Sequence, residues 1–167
     1  MLGAAETKRR LRNRDSGLAI TPLLTGDQVK GAAVDLRLGP DLIVTRRETA
    51  VVAFNPARVE DMAEHLHEYQ HYVRRPLGSA FYLHPGDFAI ARSLEYVTLP
   101  ADVSAEALGR SSWGRLGLVI ATATLVQPKF QGTITLELAN VGTVPLTLHV
   151  GARIAQLTLF RLEGTDE

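Results

Sequence analysis

The chain has 167 residues, enough for one domain with a sizeable core and too few for two comfortable ones. Its 46% hydrophobic and 22% charged residues match an ordinary globular protein and exclude the disordered and membrane classes, while eighteen Lys+Arg against eighteen Asp+Glu give a formal charge of zero and argue against a nucleic-acid footprint over the whole domain. Cysteine is absent, which removes disulfides, thiolate nucleophiles and Cys-ligated zinc. The opening MLGAAETKRRLRNRDSG has no apolar stretch beside its basic cluster, so no secretory signal is expected. Nor does any segment approach the roughly 18 uninterrupted apolar residues of a membrane span. A cytoplasmic protein with no membrane or nucleic-acid partner is the expectation.

Residues 1–17 form a polar arm with five cations between Lys8 and Arg14. Such an arm is either a solvated segment or short helix, or a surface that faces an anionic ligand. From Leu18 to Val52 short apolar runs alternate with turn residues. Val34, Leu36 and Leu38 alternate with Asp35 and Arg37, the period of a half-buried strand, and Gly39-Pro40-Asp41 is expected to end it in a turn. Over 56–75 the pattern predicts a helix. Asn55 suits the N-cap, Pro56 the first helical position, Glu60 and Asp61 the first turn, and Arg74, Arg75 and Pro76 the end. It would carry His65, His67 and His71, of which the last two have a metal-ligand spacing, although no further ligand is set by the pattern and a solvated face is the simpler reading.

Everything after Gly78 reads as strands and tight turns. A Pro85-Gly86 turn joins two apolar runs, and GLVIATATLV, TITLELAN, VPLTLHV and RIAQLTLF follow about ten residues apart. That rhythm predicts an all-β sandwich, jelly roll or barrel with one or two short helices.

Three stretches break the apolar rhythm. In Gly109-Arg110-Ser111-Ser112-Trp113-Gly114-Arg115, forked guanidinium donors and short hydroxyls between glycines that allow close backbone approach make either an anion cradle or a polar surface loop. In TITLELAN, strict alternation puts Glu137 on one face with Thr133 and Thr135, opposite Ile134, Leu136 and Leu138. If that face is a cleft, the carboxylate suits general acid–base work; otherwise it is solvated. The run Val126-Gln127-Pro128-Lys129-Phe130-Gln131-Gly132 reads as a hairpin connection.

Taken together, AFYLHPGDFAIARSLEYVTLPADV, GRSSWGRLGL and QGTITLEL resemble, in order, the dCTP deaminases of the trimeric dUTPase superfamily. GAAVDLRLG and GARIAQLTLF resemble further segments of that family, so that the likeness runs from about Leu18 to Leu162. The resemblance implies a dUTPase-like distorted β-barrel or jelly roll over residues 18–163, between the arm and a short end at 164–167. It further implies a homotrimer with active sites between subunits and zinc-independent deamination of dCTP, taken as its Mg²⁺ complex, to dUTP and ammonia. By the same resemblance Arg110, Ser111 and Ser112 hold phosphates and organise the site, and Arg115 lies beside the reacting base. Glu137 is the catalytic carboxylate, the backbone around Thr122 and Ala123 reads the pyrimidine edge, and Gln127 and Gln156 contact substrate. Ser111 and Arg115 join Glu137 as catalytic candidates, and no protein-held metal is expected.

The chain also departs from the family pattern. Gln127 stands where the family has an aspartate, and a carboxamide cannot act as a carboxylate base, so hydrolysis of dUTP to dUMP is not expected. The connection after Leu118 is one residue short. The family's C-terminal tail closes over the triphosphate, whereas this sequence stops at Glu167, which predicts more weakly held phosphates; the basic arm could compensate. These departures leave two further readings, a non-catalytic or regulatory nucleotide-binding trimer and a related hydrolase with an altered substrate.

Overall fold

A computed structural model of the protein describes residues 1–45, 70–120 and 125–164. Its frame is β3 (Ala33–Thr45), which follows β1 (Ala19–Thr21) and β2 (Val29–Lys30). Then come β4 (Gln70–Arg74), β5 (Ala80–Leu83), β6 (Phe88–Thr98), β7 (Val103–Gly109), β8 (Leu118–Ile120), β9 (Leu125–Val126), β10 (Gln131–Asn140), β11 (Leu146–His149) and β12 (Arg153–Arg161). Ten strands form a curled sheet ordered β8-β10-β6-β3-β12-β7-β9, with β1 on β6 and both β2 and β4 on β3; β11 and β5 pair separately. All pairings are antiparallel. The architecture is the mainly-β, dUTPase-like distorted barrel that the strand rhythm and the resemblance predict. Inside the curl, Leu36, Leu38, Leu42, Leu136, Leu138, Leu148, Ile154 and Leu157 are fully buried. Removing each such side chain from water contributes about 2 kcal/mol.

Three expectations need correction. First, β3 is not half-buried, because Val34 to Gly39 are buried on both faces. In the curled sheet β3 lies between β6 and β12, and its polar residues are covered by polar partners. Second, Gly39-Pro40-Asp41 does not end the strand. Against β6 the register shifts between Leu38 and Leu42, so these residues form an irregularity within one continuous strand. A Cβ at Gly39 would lie 2.6 Å from the Arg92 carbonyl oxygen and 3.0 Å from that of Ser93, which explains the glycine. Gly39→Ala is therefore expected to cost about 1–3 kcal/mol, because two backbones must separate, and a lowered denaturant midpoint would report it. Third, 70–74 is strand rather than the end of a helix. β4 pairs Gln70 with Thr45 through to Arg74 with Asp41, and the Arg75 N–H then donates to the Pro40 carbonyl at 2.9 Å. Tertiary pairing overrides the local cap signals there. His71 thus lies on a strand, while residues 56–69 of the expected helix, with His65 and His67, lie outside the described residues.

The basic N-terminal segment folds as α1 (Ala4–Arg12) and a 3₁₀ turn (Arg14–Ser16). Leu2 joins the core and donates its N–H to the Leu159 carbonyl at 2.7 Å. Arg10 is buried and reaches Asp102 at 2.8 Å and Glu6 at 3.1 Å, while Arg9 reaches Glu6 at 2.7 Å. Arg9 first, then Arg10, holds the Glu6 carboxyl down to about 2, and the Arg10 hydrogen bond lowers Asp102 below the usual carboxylate range.

The Pro85-Gly86 turn is present. Asp87 closes it, its N–H donating to the His84 carbonyl and its carboxylate accepting from the His84 N–H, both at 2.9 Å, with Gly86 at φ 77°. At the far hairpin the Phe130 N–H donates to the Gln127 carbonyl at 3.3 Å, with Lys129 at φ 65°.

Candidate active site

The turn from β7 into β8 builds α2 (Ser111–Gly114), a single helical turn. Arg110 is extended and donates its backbone N–H to the Ile154 carbonyl at 3.0 Å, which anchors the turn to β12. Trp113 fastens the other side: its indole N–H donates to the Arg153 carbonyl at 2.9 Å, and its ring packs against the core. Ser111, Ser112 and Arg115 are left exposed. The expected close backbone approach is not at Gly109 or Gly114, where a Cβ would have room. It is at Gly117, at φ 94°, whose Cβ would lie 2.7 Å from Gly142. That contact holds the end of the α2 loop against the turn after β10, and the Val141 N–H donates to the Gly117 carbonyl at 2.9 Å.

Arg110 does not stand free. Its guanidinium lies 3.4 Å from Asp35, a residue only 8% exposed, which also accepts from Arg153 at 3.1 Å and from the Gln156 carboxamide at 3.1 Å. The pairing of Asp35 with Gln156 across β3 and β12 makes this meeting unavoidable. Two sequence-predicted residues, Arg110 and Gln156, thus share one buried carboxylate. Arg153 continues to Asp27 at 2.8 Å and to the Thr25 hydroxyl at 2.9 Å. The Arg153 hydrogen bond pulls Asp27 well below the usual carboxylate range.

Glu137 belongs to a second place. β10 alternates buried Ile134, Leu136, Leu138 and Asn140 with the less buried Thr133, Thr135, Glu137 and Ala139. The half-buried Glu137 faces a cleft of about 300 Å³ that it shares with Gln127, Leu125, Phe130 and Thr133. Gln127 is brought there by the hairpin from β9 into β10. Within this chain the cleft's walls include none of Arg110, Ser111, Ser112 or Arg115. Thr122 and Ala123 lie outside the described residues. The chemistry is thus divided into a cationic, hydroxyl-bearing end suited to phosphate oxygens and an apolar cleft with one carboxylate and one carboxamide, suited to a base and proton transfer.

Sequence reasoning missed the carboxylate at the centre of the first group. The alternation marks Asp35 only as the polar half of a strand, and the signal that could find it lies inside GAAVDLRLG itself. A buried network beside it was missed as well. Glu95, wholly buried, accepts from the Arg37 backbone N–H at 2.8 Å, from the Gln28 carboxamide at 2.7 Å and from the Arg37 guanidinium at 3.2 Å. Arg37 also donates to the Gln28 carboxamide oxygen.

Comparison with known proteins gives the chain's relatives. A family model described as dCTP deaminase-like matches residues 1–162. A dCTP deaminase of Natronomonas pharaonis is 43% identical over 169 aligned positions, covering all of this chain and 83% of that protein. A dUMP-forming dCTP deaminase of Methanobrevibacter smithii is 41% identical over 84% of this chain and 70% of its own length. Among solved structures, a 2'-deoxycytidine 5'-triphosphate deaminase from Agrobacterium tumefaciens superposes with a TM-score of 0.69 at 27% identity, over 95% of this chain and 47% of that one. This chain therefore spans about half the length of that structure. A mutant dUTPase of Staphylococcus bacteriophage 80alpha, at 13% identity and TM-score 0.52 over 90% of this chain and 93% of its own, shares the fold. The curled sheet, the ordered motifs and the match over nearly the whole length place the chain in the dCTP deaminase-like family.

Proposed function

We propose that the protein deaminates dCTP to dUTP and ammonia with Glu137 as general acid and base. The observation that carries this reading is the half-buried Glu137 facing a base-sized cleft beside Gln127. The names of the relatives, at about 40% identity, support it. The reaction adds water to C4 of the cytosine ring and expels the amino group. Glu137 takes one proton from the attacking water as its oxygen bonds to C4, and returns it to N3. The second water proton passes to the amino nitrogen as the C4–N bond breaks, leaving a carbonyl at C4 and ammonia. No step needs a protein-held zinc ion. Ser111 and Arg115 orient the water and stabilise charge at the ring, and placement carries much of the rate. The backbone at Thr122 and Ala123 reads the pyrimidine edge in this proposal.

Arg110, Ser111 and Ser112 take the triphosphate, which arrives as its Mg²⁺ complex. The donors at that end are guanidinium and hydroxyl groups, which fit phosphate oxygens, so the metal belongs to the substrate. The two halves described above are joined in a homotrimer, in which α2 of one subunit faces the Glu137 cleft of the next. Exposed Leu108, Leu116, Val119 and Leu125, distributed over β7, the α2 loop, β8 and the cleft wall, support such an interface.

The test is a product assay with dCTP and Mg²⁺, with nucleotides separated by chromatography and ammonia measured alongside. dUTP with equimolar ammonia and no dUMP is expected. dUMP would show that Gln127 does not prevent phosphate hydrolysis and would give this protein the product that the names of some relatives state. Unchanged dCTP would overturn the proposed reaction.

A further inference from the structure

The basic segment at the N-terminus has no part in the reaction above, and the four of its five cations that lie on α1 divide into two groups; the fifth, Arg14, lies in the 3₁₀ turn. Arg9 and Arg10 are bound to Glu6 and Asp102. Lys8 and Arg12, four apart on one face of α1, have no carboxylate partner among the described residues. They form a ridge between two depressions, because both side chains line each of them. On the side of the loop before β2, a cleft of about 380 Å³ is lined by Lys8, Leu11 and Arg12 of α1 and by Leu24, Thr25 and Gly26 of the loop. Leu24 is 54% exposed, and its backbone N–H donates to the Gln28 carboxamide oxygen at 3.1 Å.

We infer that this cleft is a second, separate ligand site that takes a small phosphate monoester carrying an apolar body. Two uncompensated cations at (i, i+4) spacing can converge on one phosphate, which an arginine engages through its planar fork and a lysine as a point charge. Leu11 and Leu24 supply an apolar surface for the rest of the molecule. The volume is that of a small-molecule site. A bare anion would use only the cations and leave the leucines wet, whereas an apolar molecule without charge would leave the cations unused. The inference does not depend on the proposed reaction, because none of the cleft's residues belongs to the Glu137 cleft or to α2.

The composition makes a clean test available, since the only lysines are Lys8, Lys30 and Lys129. The full chain is treated briefly with an amine-acylating ester with and without phenyl phosphate, and modification at each lysine is read by peptide mass spectrometry. Saturating phenyl phosphate is expected to slow acylation of Lys8 at least fivefold, with Lys30 and Lys129 unchanged. Inorganic phosphate at the same concentration should protect several-fold less. Arg12→Ala, a change at an exposed residue, should weaken the phenyl phosphate protection at least threefold, and Arg110→Ala should leave it intact. Equal effects at all three lysines, equal protection by inorganic phosphate, or loss of protection in Arg110→Ala would each overturn the inference. The last result would mean that the ligand sits at the phosphate end of the reaction site.

Discussion

Glu137→Gln is expected to lower the rate of ammonia release from dCTP by about 10³-fold, within the range that general acid–base groups contribute. The carboxamide has almost the same shape and can still hydrogen-bond a water molecule, but it cannot take its proton. Binding should be affected little, because the triphosphate is assigned to Arg110, Ser111 and Ser112 on another element. The loss should therefore fall on kcat and not on KM. The fold should not change either. Glu137 contributes its backbone to the pairing with Ile90, and its side chain faces the cleft and not the core. Steady-state kinetics together with the sedimentation behaviour of the variant would check both parts. A variant retaining the wild-type kcat would refute Glu137 as the proton-transfer group.

The second large effect concerns stability. Glu95→Ala is expected to cost about 3–5 kcal/mol, because it leaves the Arg37 guanidinium buried without its charge partner. Three donors each lose an acceptor at once: the Arg37 backbone N–H, its guanidinium and the Gln28 carboxamide. Removing both charges together with Arg37→Met and Glu95→Met should recover much of the loss, since desolvating an ion pair offsets most of its Coulomb gain. Chemical denaturation at one fixed protein concentration would measure this, because the proposed assembly would couple stability to concentration. A loss below about 1 kcal/mol for Glu95→Ala would show that Arg37 finds another partner. The network also bears on the site. Thr25 accepts from Arg37 at 3.4 Å and from Arg153 at 2.9 Å, and Arg153 is the neighbour of Arg110 on Asp35.

Glu95 also shows how far a sequence can be read. Along β6 the inward positions are Ala89, Ala91, Ser93, Glu95 and Val97, so period-two alternation alone sets Glu95 among core residues. The signal was present. It does not by itself mark burial, because a lone Glu in a strand is ordinarily solvated and its partners Gln28 and Arg37 are remote in sequence. Glu137 is the opposite case. Alternation assigns it to the less buried face of β10, and the fold supplies a cleft on that face.

The strand segments after Gly78, the Pro85-Gly86 turn and the order of the motifs were determined by the sequence alone, since alternation and turn chemistry act over a few residues. So was the family. Curvature and pairing decided the rest. The run at 70–74 carries helix-ending signals, yet the open edge of β3 offers it a partner, and strand pairing outweighs weak local preferences. Gly39-Pro40 has turn chemistry, yet the pairing of β3 with β6 takes it up as an irregularity in a continuous strand. Asp35 and Arg37 read as solvent-facing until the sheet curls and brings Gln28, Glu95, Arg110, Arg153 and Gln156 against them. Those partners come from distant parts of the chain, so only the tertiary structure could decide which polar residues are buried and which carboxylate holds Arg110. The physical reason is that alternation assigns a side chain to a face, whereas the burial of that face depends on what the closed sheet sets against it.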